Sequence, residues 1–285
     1  MEKLIRYRRG IFLLAFTGAV FVIWYAVFYY ESRQDFLLHV FDVGQGDAIF
    51  LEIPGGYQVL IDGGPSGVVI SKLGRTMPFW DRSLDLVVLT HPDKDHITGL
   101  LDVLKRYRVE AILWSGAEHS TAEYHEWLRL IKEEGVHIIL ARAGQLLQFP
   151  TGVTLDILAP FMDDKGNLIG ALNDTSVVSM IYYGNTKILL MGDAGKVTER
   201  RLLFEQGEGL DADILKVGHH GSNTSSIEEF LQMVSPDIAV ISVGRNNRYG
   251  HPRQEVLDRL QRSGAAIRRT DVEGDITFRF RLDDH

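Results

Sequence analysis

Asp85 to Leu100 reads DLVVLTHPDKDHITGL, and this stretch decides the fold. Leu84–Leu89 is an apolar run of the kind that forms a strand buried on both faces. It leads into a loop holding His91, Asp93, Asp95 and His96, and a helix is expected from near Ile97. Four potential metal ligands thus crowd the C-terminal end of one strand. Alternate residues of an extended loop point the same way, so His91 and Asp93 can converge on one ion. Asp95 and His96, at the turn, can reach a second. Imidazole with carboxylate suits zinc, manganese or iron. The competing reading is a solvated acidic loop, and the strand–loop–helix context argues against it.

The 285-residue chain has no cysteine, which excludes disulfides, thiolate ligands and a cysteine nucleophile. Its hydrophobic (45%) and charged (24%) fractions are those of a globular protein. Residues 1–10 carry a net charge of +3, and the remainder after residue 30 a net of −11. An acidic body is a poor trap for long nucleic acid, whose binding rests on phosphate neutralisation, although a local basic groove remains compatible with it.

Ile11–Tyr30, IFLLAFTGAVFVIWYAVFYY, is uncharged and mostly apolar. A helix needs about 20 such residues to cross the ~30 Å hydrocarbon layer. Trp24, Tyr25, Tyr29 and Tyr30 crowd one end, as interfacial aromatics do, and the preceding basic cluster places residues 1–10 in the cytoplasm. The expected order is a basic tail (1–10), a transmembrane helix (11–30) and a hydrolase domain (31–285) outside the cytoplasmic membrane. A cleaved signal peptide would have a shorter apolar core and a small-residue cleavage site; FYYESRQD lacks one. A core helix without a polar face is the other alternative.

Beyond residue 35, strand patterns recur at 36–43, 48–53, 58–61, 84–89, 111–113, 137–140, 154–158, 177–182, 187–190, 212–217, 238–241 and 276–280. Helical patterns fall at 97–108, 121–134, 196–205, 226–234 and 253–262. Hairpin-like groups followed by strand–helix alternation predict an α/β layered domain with two sheets covered by helices.

HPDKDH resembles the His-x-(His/Asp)-x-Asp-His signature of the metallo-β-lactamase superfamily, in the variant of the ComEC family of DNA-uptake proteins. FDVGQGDAI (Phe41–Ile49), LIDGG (Leu60–Gly64), NDTSVV (Asn173–Val178), LLMGDA (Leu189–Ala194), LKVGHHGS (Leu215–Ser222) and YGHP (Tyr249–Pro252) follow in the family's order. The resemblance implies a four-layer αββα sandwich and two divalent metal ions, zinc or manganese. By resemblance, His91 and Asp93 bind the first metal, Asp95 and His96 the second, and Asp193 bridges them. His219 or His220 supplies a further ligand. Asn173 stands where most of the superfamily has a histidine, which weakens one ligand set.

Asp62 is expected to support the ligand loop structurally. Asp42, Gln45 and Asp47 lie near the same edge by resemblance, and turn geometry explains them equally well. Gly218, Gly221 and Ser222 let backbone and hydroxyl groups approach an anion. Asn223–Ser225 and a helix start near Ile227 extend that anion site, with a simple helix cap as rival. His251 is the candidate for substrate contact or proton delivery. His39, His119, His125, His137 and His285 carry no such context.

Two metals roughly 3.5–4 Å apart stabilise in-line displacement and generate a nucleophile from water near pH 7. The expected reaction is phosphodiester hydrolysis, with Asp95 and His251 as catalytic groups. Asn173, Gly221, Ser222 and His251 would contact the substrate. Asp93 in place of an imidazole shifts preference towards manganese. The implied setting is DNA uptake. One span conducts no DNA, so a separate channel protein is an implied partner. Alternatives are an envelope or small-molecule phosphodiesterase, and a non-catalytic membrane-tethered binding subunit. Asp93 and Asn173 count against a β-lactam hydrolase.

Overall fold

The computed structural model describes residues 2–32, 35–163 and 165–281, with backbone alone for 2–8 and 25–32. Helix α1 (Glu2–Ser32) leads the chain. Six strands follow: β1 (Phe36–Val40), β2 (Ile49–Ile53), β3 (Tyr57–Ile61), β4 (Ser83–Leu89), β5 (Arg108–Trp114) and β6 (His137–Leu140). Helices α2 (Val68–Thr76), α3 (Lys94–Leu104) and α4 (Ala122–Glu134) are interleaved with them. The second half gives β7 (Gln145–Gln148), β8 (Thr154–Ala159), β9 (Val178–Tyr183), β10 (Thr186–Leu190), β11 (Ile214–Lys216), β12 (Ile238–Ile241) and β13 (Ala266–Arg269). With these come α5 (Lys196–Gln206), α6 (Glu228–Val234), α7 (Gln254–Arg262) and the short α8 (Thr270–Glu273). Strand β14 (Ile276–Phe280) then returns to the first sheet and pairs antiparallel with β1, Phe36 opposite Phe280.

Each half of the chain builds one seven-stranded sheet, in the orders β14-β1-β2-β3-β4-β5-β6 and β13-β12-β11-β10-β9-β8-β7. The sheets meet over Leu38, Leu51, Ile61, Val88, Ile181, Ile188 and Ile214. A second core packs Val69, Leu73, Ile97, Leu100, Trp127 and Leu130 of α2–α4 onto the first sheet. A third packs Leu202, Phe230, Leu231, Val256 and Leu260 of α5–α7 onto the other. These are the four layers αββα. The strands between helices and the partner sheet are buried on both faces, hence their unbroken Val/Ile/Leu runs.

Helix α3 starts at Lys94, with Asp93 as its flanking residue, three residues earlier than expected, and it ends at Leu104. Asp95 and His96 therefore ride on its first turn. Ile97, Leu100, Leu101 and Leu104 fix its buried stripe at helical spacing. Burying each such side chain contributes roughly 1.5–3 kcal/mol. Gly63 and Gly99 face each other where α3 crosses the turn after β3, and neither has room for a Cβ. That close approach lets Gly63 N–H donate to the His96 carbonyl (2.8 Å).

The expected membrane span falls within α1, but among the described residues no helix is long and apolar enough to cross a membrane. Ile11, Phe12, Phe21 and Trp24 of α1 are exposed. Positions 25–30 of the expected span have side chains outside the described set.

Candidate metal centre

The parallel strands β3 and β4, and likewise β10 and β11, direct their C-terminal ends to one rim between the sheets. Asp62 follows β3, His91 follows β4, Asp193 follows β10, and His219 and His220 follow β11. Ligand-bearing loops at the carboxyl ends of strands are the usual location of an α/β site.

Asp193, 3% exposed, sits at the centre. Its Oδ1 lies 3.4 Å from His220 Nε2 and 3.5 Å from His96 Nε2. Its Oδ2 lies 3.9 Å from His219 Nε2 and 4.0 Å from His91 Nε2. Asp93 Oδ2 is 3.4 Å from His91 Nε2, and Asp95 Oδ2 is 3.5 Å from His220 Nε2. Two of the groupings able to hold an ion are His91–His96–Asp193 and Asp95–His96–His220.

The hydrogen bonds on the far side of the rings explain why the near sides converge. Thr90 Oγ1 donates to Asp62 Oδ2 (2.6 Å) and so accepts from His91 Nδ1 (3.1 Å). His96 Nδ1 donates to Asp62 Oδ2 (2.8 Å), and His220 Nδ1 donates to the Ser242 carbonyl (2.9 Å). In all three rings the proton sits on Nδ1, and the Nε2 lone pair turns inward. His91 Nε2, His96 Nε2, His220 Nε2 and Asp193 Oδ1 are buried without a hydrogen-bond partner. An orphaned buried polar atom costs about 1–3 kcal/mol. These four atoms belong to groupings able to hold a cation, so the residues fit the metals that the fold implies.

Burial tends to raise the Asp95 carboxyl, but the His220 and His96 imidazoles outweigh it and hold it at about 2. Burial likewise opposes ionisation of Asp193, while His220 and His96 keep it well below the usual carboxylate range. Both carboxylates are charged at neutral pH, as ligands must be.

His219 and His220 occupy consecutive left-handed conformations, φ 47° and 52°, which cost about 1–2 kcal/mol per residue and throw the two rings apart. His220 enters the buried cluster. His219, 28% exposed, faces Asp193 from the outer side, beside Asn173 (3.4 Å) and Thr224 (2.8 Å). The structure thus places both near Asp193 and gives His220 the buried donor position.

Asp62, fully buried, accepts from Thr90 N–H, the Thr90 hydroxyl and His96, as a supporting residue should. Asp42 accepts from Gly44 N–H and shapes a turn. Asp47 does more than close a turn. It forms a fully buried ion pair with Lys216 (2.8 Å), and its other oxygen lies 3.5 Å from His220 Nδ1. Lys216 escaped the sequence reading because a lysine inside LKVGHHGS carries no ligand signal.

Two N–H groups at the end of the expected anion site between Gly218 and Ile227 are already engaged. Helix α6 begins at Glu228, and the buried Glu199 carboxylate accepts from Ser226 N–H and from Ile227 N–H (2.9 Å). Ser222 is buried, and its hydroxyl accepts from the Thr224 hydroxyl (3.0 Å). Gly221 is packed against Pro252. Neither joins the ligand cluster. His251 lies near it, its ring 5.8 Å from that of His219. Burial, with His219 and His220 beside it, lowers His251 to about 4, so its ring is neutral at pH 7 and is no cationic proton donor.

His119 was set aside in the sequence, yet its Nε2 is 3.6 Å from Asp93 Oδ1. His39 is half of a β1–β2 pair with Glu52 (2.9 Å), remote in role from the site. No spacing rule reaches from HPDKDH to His119, because the loop after β5 brings it there.

Two stacked sheets with a buried histidine–aspartate cluster at their rim define a metal-dependent hydrolase of the metallo-β-lactamase fold. The chain belongs to the metallo-beta-lactamase superfamily, whose family model matches residues 41–245. It is similar to the ComE operon protein 3 of Bacillus subtilis, 32% identical over 96% of this chain and 37% of that protein. It is also similar to the competence protein ComA of Neisseria gonorrhoeae, 30% identical over 84% of this chain and 31% of that protein. The chain spans about a third of the length of these relatives. Among solved structures, the metallo-beta-lactamase fold protein YhfI from Bacillus subtilis matches 86% of this chain and 100% of its own, at a TM-score of 0.58 and 15% identity.

Proposed function

We propose that the chain is a two-metal phosphodiesterase that cleaves DNA in connection with competence. The observation that carries this reading is the central place of Asp193, whose Oδ1 faces His96 and His220 while its Oδ2 faces His91 and His219. Divalent zinc or manganese held there supplies Lewis-acid stabilisation of a phosphoryl group and a nucleophile near neutral pH. The chain's own residues hold the ligand carboxylates ionised and exclude solvent from three of the rings.

A polyanionic substrate is favoured by the strap RNNRYGHPR (245–253) joining β12 to α7. It holds three arginines and no acidic residue in a chain of net charge −8. Tyr249 of the strap lies parallel to His251, ring centroids 5.9 Å apart, and Arg248 covers Tyr249. Arginines with an exposed aromatic are how proteins track single-stranded nucleic acid. The competence names of the relatives agree with a role in DNA uptake.

Residues 11–30 serve as a membrane anchor in this reading, with 1–10 inside and 31–285 outside the cytoplasmic membrane. A separate channel protein would move the DNA. The supports are the uncharged run, the basic residues before it and the exposed apolar side chains of α1. The acidic remainder of the chain keeps one alternative substrate, a small or envelope phosphodiester.

The test is manganese- and zinc-dependent cleavage of single- and double-stranded DNA by the full chain, with Asp95→Ala as control. Cleavage lost in the variant supports the reading. Cleavage retained by Asp95→Ala refutes it.

A further inference from the structure

The tautomer that marks His91, His96 and His220 as ligands is reversed in His119. Thr121 N–H donates to His119 Nδ1 (3.2 Å). The lone pair of Nδ1 is therefore engaged, and the ring's proton sits on Nε2. That nitrogen faces Oδ1 of Asp93 at 3.6 Å, while Oδ2 of the same carboxylate faces His91 Nε2 at 3.4 Å. A ring protonated on its inward nitrogen presents a proton to Asp93, at ion-pair distance, and not a lone pair to a metal.

We infer that His119 is a positioning residue for Asp93, aiming one carboxylate oxygen at the first metal by holding the other. The inference rests on the metal-centre reading. Its physical need comes from the carboxylate at this position. Asp93 is half-buried and, unlike the histidine rings beside it, has two equivalent oxygens on a freely turning bond. His91 approaches its Oδ2 most closely and His119 its Oδ1.

The loop carrying His119 is itself anchored. Arg142 donates to the Ser115 carbonyl at the loop's start (3.1 Å). Thr121 caps α4 at its end, accepting from Tyr124 N–H (3.3 Å). Lys94, next to Asp93, pairs with Glu123 in the first turn of α4 (2.9 Å). The two loops are thereby held face to face, and a rigid outer donor is what fixes ligand orientation. Loss of such a donor typically weakens metal affinity about 10–100-fold.

The experiment is zinc titration of the full chain against a chromophoric chelator, which separates the two binding steps without any activity assay. His119→Ala is expected to weaken one step about 10–100-fold and leave the other unchanged. His119→Gln, whose amide N–H can reach Asp93, is expected to restore most of that loss. His119→Phe keeps the ring without the donor and replaces the alanine variant if that chain does not fold. Unchanged binding in His119→Ala or His119→Phe overturns the inference. So does a glutamine variant as weak as alanine, which would show that an N–H donor at this position does not hold Asp93. A wild-type chain that binds no zinc overturns the metal-centre reading itself.

Discussion

Asp62 Oδ2 lies 2.8 Å from His96 Nδ1, with both side chains fully buried. The same oxygen takes the Thr90 hydroxyl proton, and that hydroxyl orients His91. One carboxylate on the far side of the His91 and His96 rings thus sets the tautomers of two candidate ligands.

Asp62→Asn should consequently act on metal binding from outside the ligand set. The amide cannot accept from His96 and Thr90 as the carboxylate does. Affinity is expected to fall about 10–100-fold at sites using His91 or His96. Chelator competition measures it, and affinity equal to wild type would show that Asp62 is dispensable.

His219 and His220 are neighbours with unequal burial, so their alanine variants should differ. His220→Ala removes a buried donor facing both Asp193 and Asp95. Hydrolysis of a simple phosphodiester is expected to drop on the order of 10²–10³-fold, the scale of losing one charge stabiliser. His219→Ala should cost clearly less. Steady-state rates with metal in excess compare the two.

How far this was legible in the sequence differs by element. HPDKDH and the motifs around it already placed the ligand loop, Asp193 and the histidine pair. What could not be read was which loops come face to face. His119 lies in no motif and Lys216 carries no ligand signal within its own, and only the packing of β5 and β11 beside β4 and β10 brings them in. Strands β7 and β13 were missed because both are sheet edges, with QLLQ and AIRR offering no apolar run. Helix α2 carries no start signal because Gly67, at its N-cap, has no side chain to cap it. The α3 start came three residues early because Asp93 ends the extended loop without a side-chain cap.

The Lys216–Asp47 pair should behave as a buried charge pair. Lys216→Met leaves Asp47 uncompensated, and a loss of roughly 3–5 kcal/mol is expected. Adding Asp47→Asn to that variant should recover part of it. Urea unfolding of these two, of Asp47→Asn alone and of wild type closes a double-mutant cycle that reads the coupling, and additive losses would contradict it.

Glu199 makes stability depend on pH independently of the metal ligands. Burial raises its carboxyl from 4.5 to about 7. The folded state therefore holds a proton that the unfolded chain has released. The stabilisation is present in full below about pH 4.5 and is lost as pH rises to about 7. At about 1.4 kcal/mol per unit this is on the order of 3 kcal/mol. In metal-free protein, Tm is expected to fall across that window, and Glu199→Gln should flatten the slope. An identical slope in the variant would assign it to other groups.

The central claim is that two metals share Asp193 and that His220 is a buried ligand. Metal content of the purified full chain, after equilibration with zinc or manganese, tests it most directly. Two equivalents per chain are expected for wild type and for His219→Ala, and fewer than two for Asp193→Ala and His220→Ala. One equivalent or none in wild type, or two retained after Asp193→Ala, would contradict it.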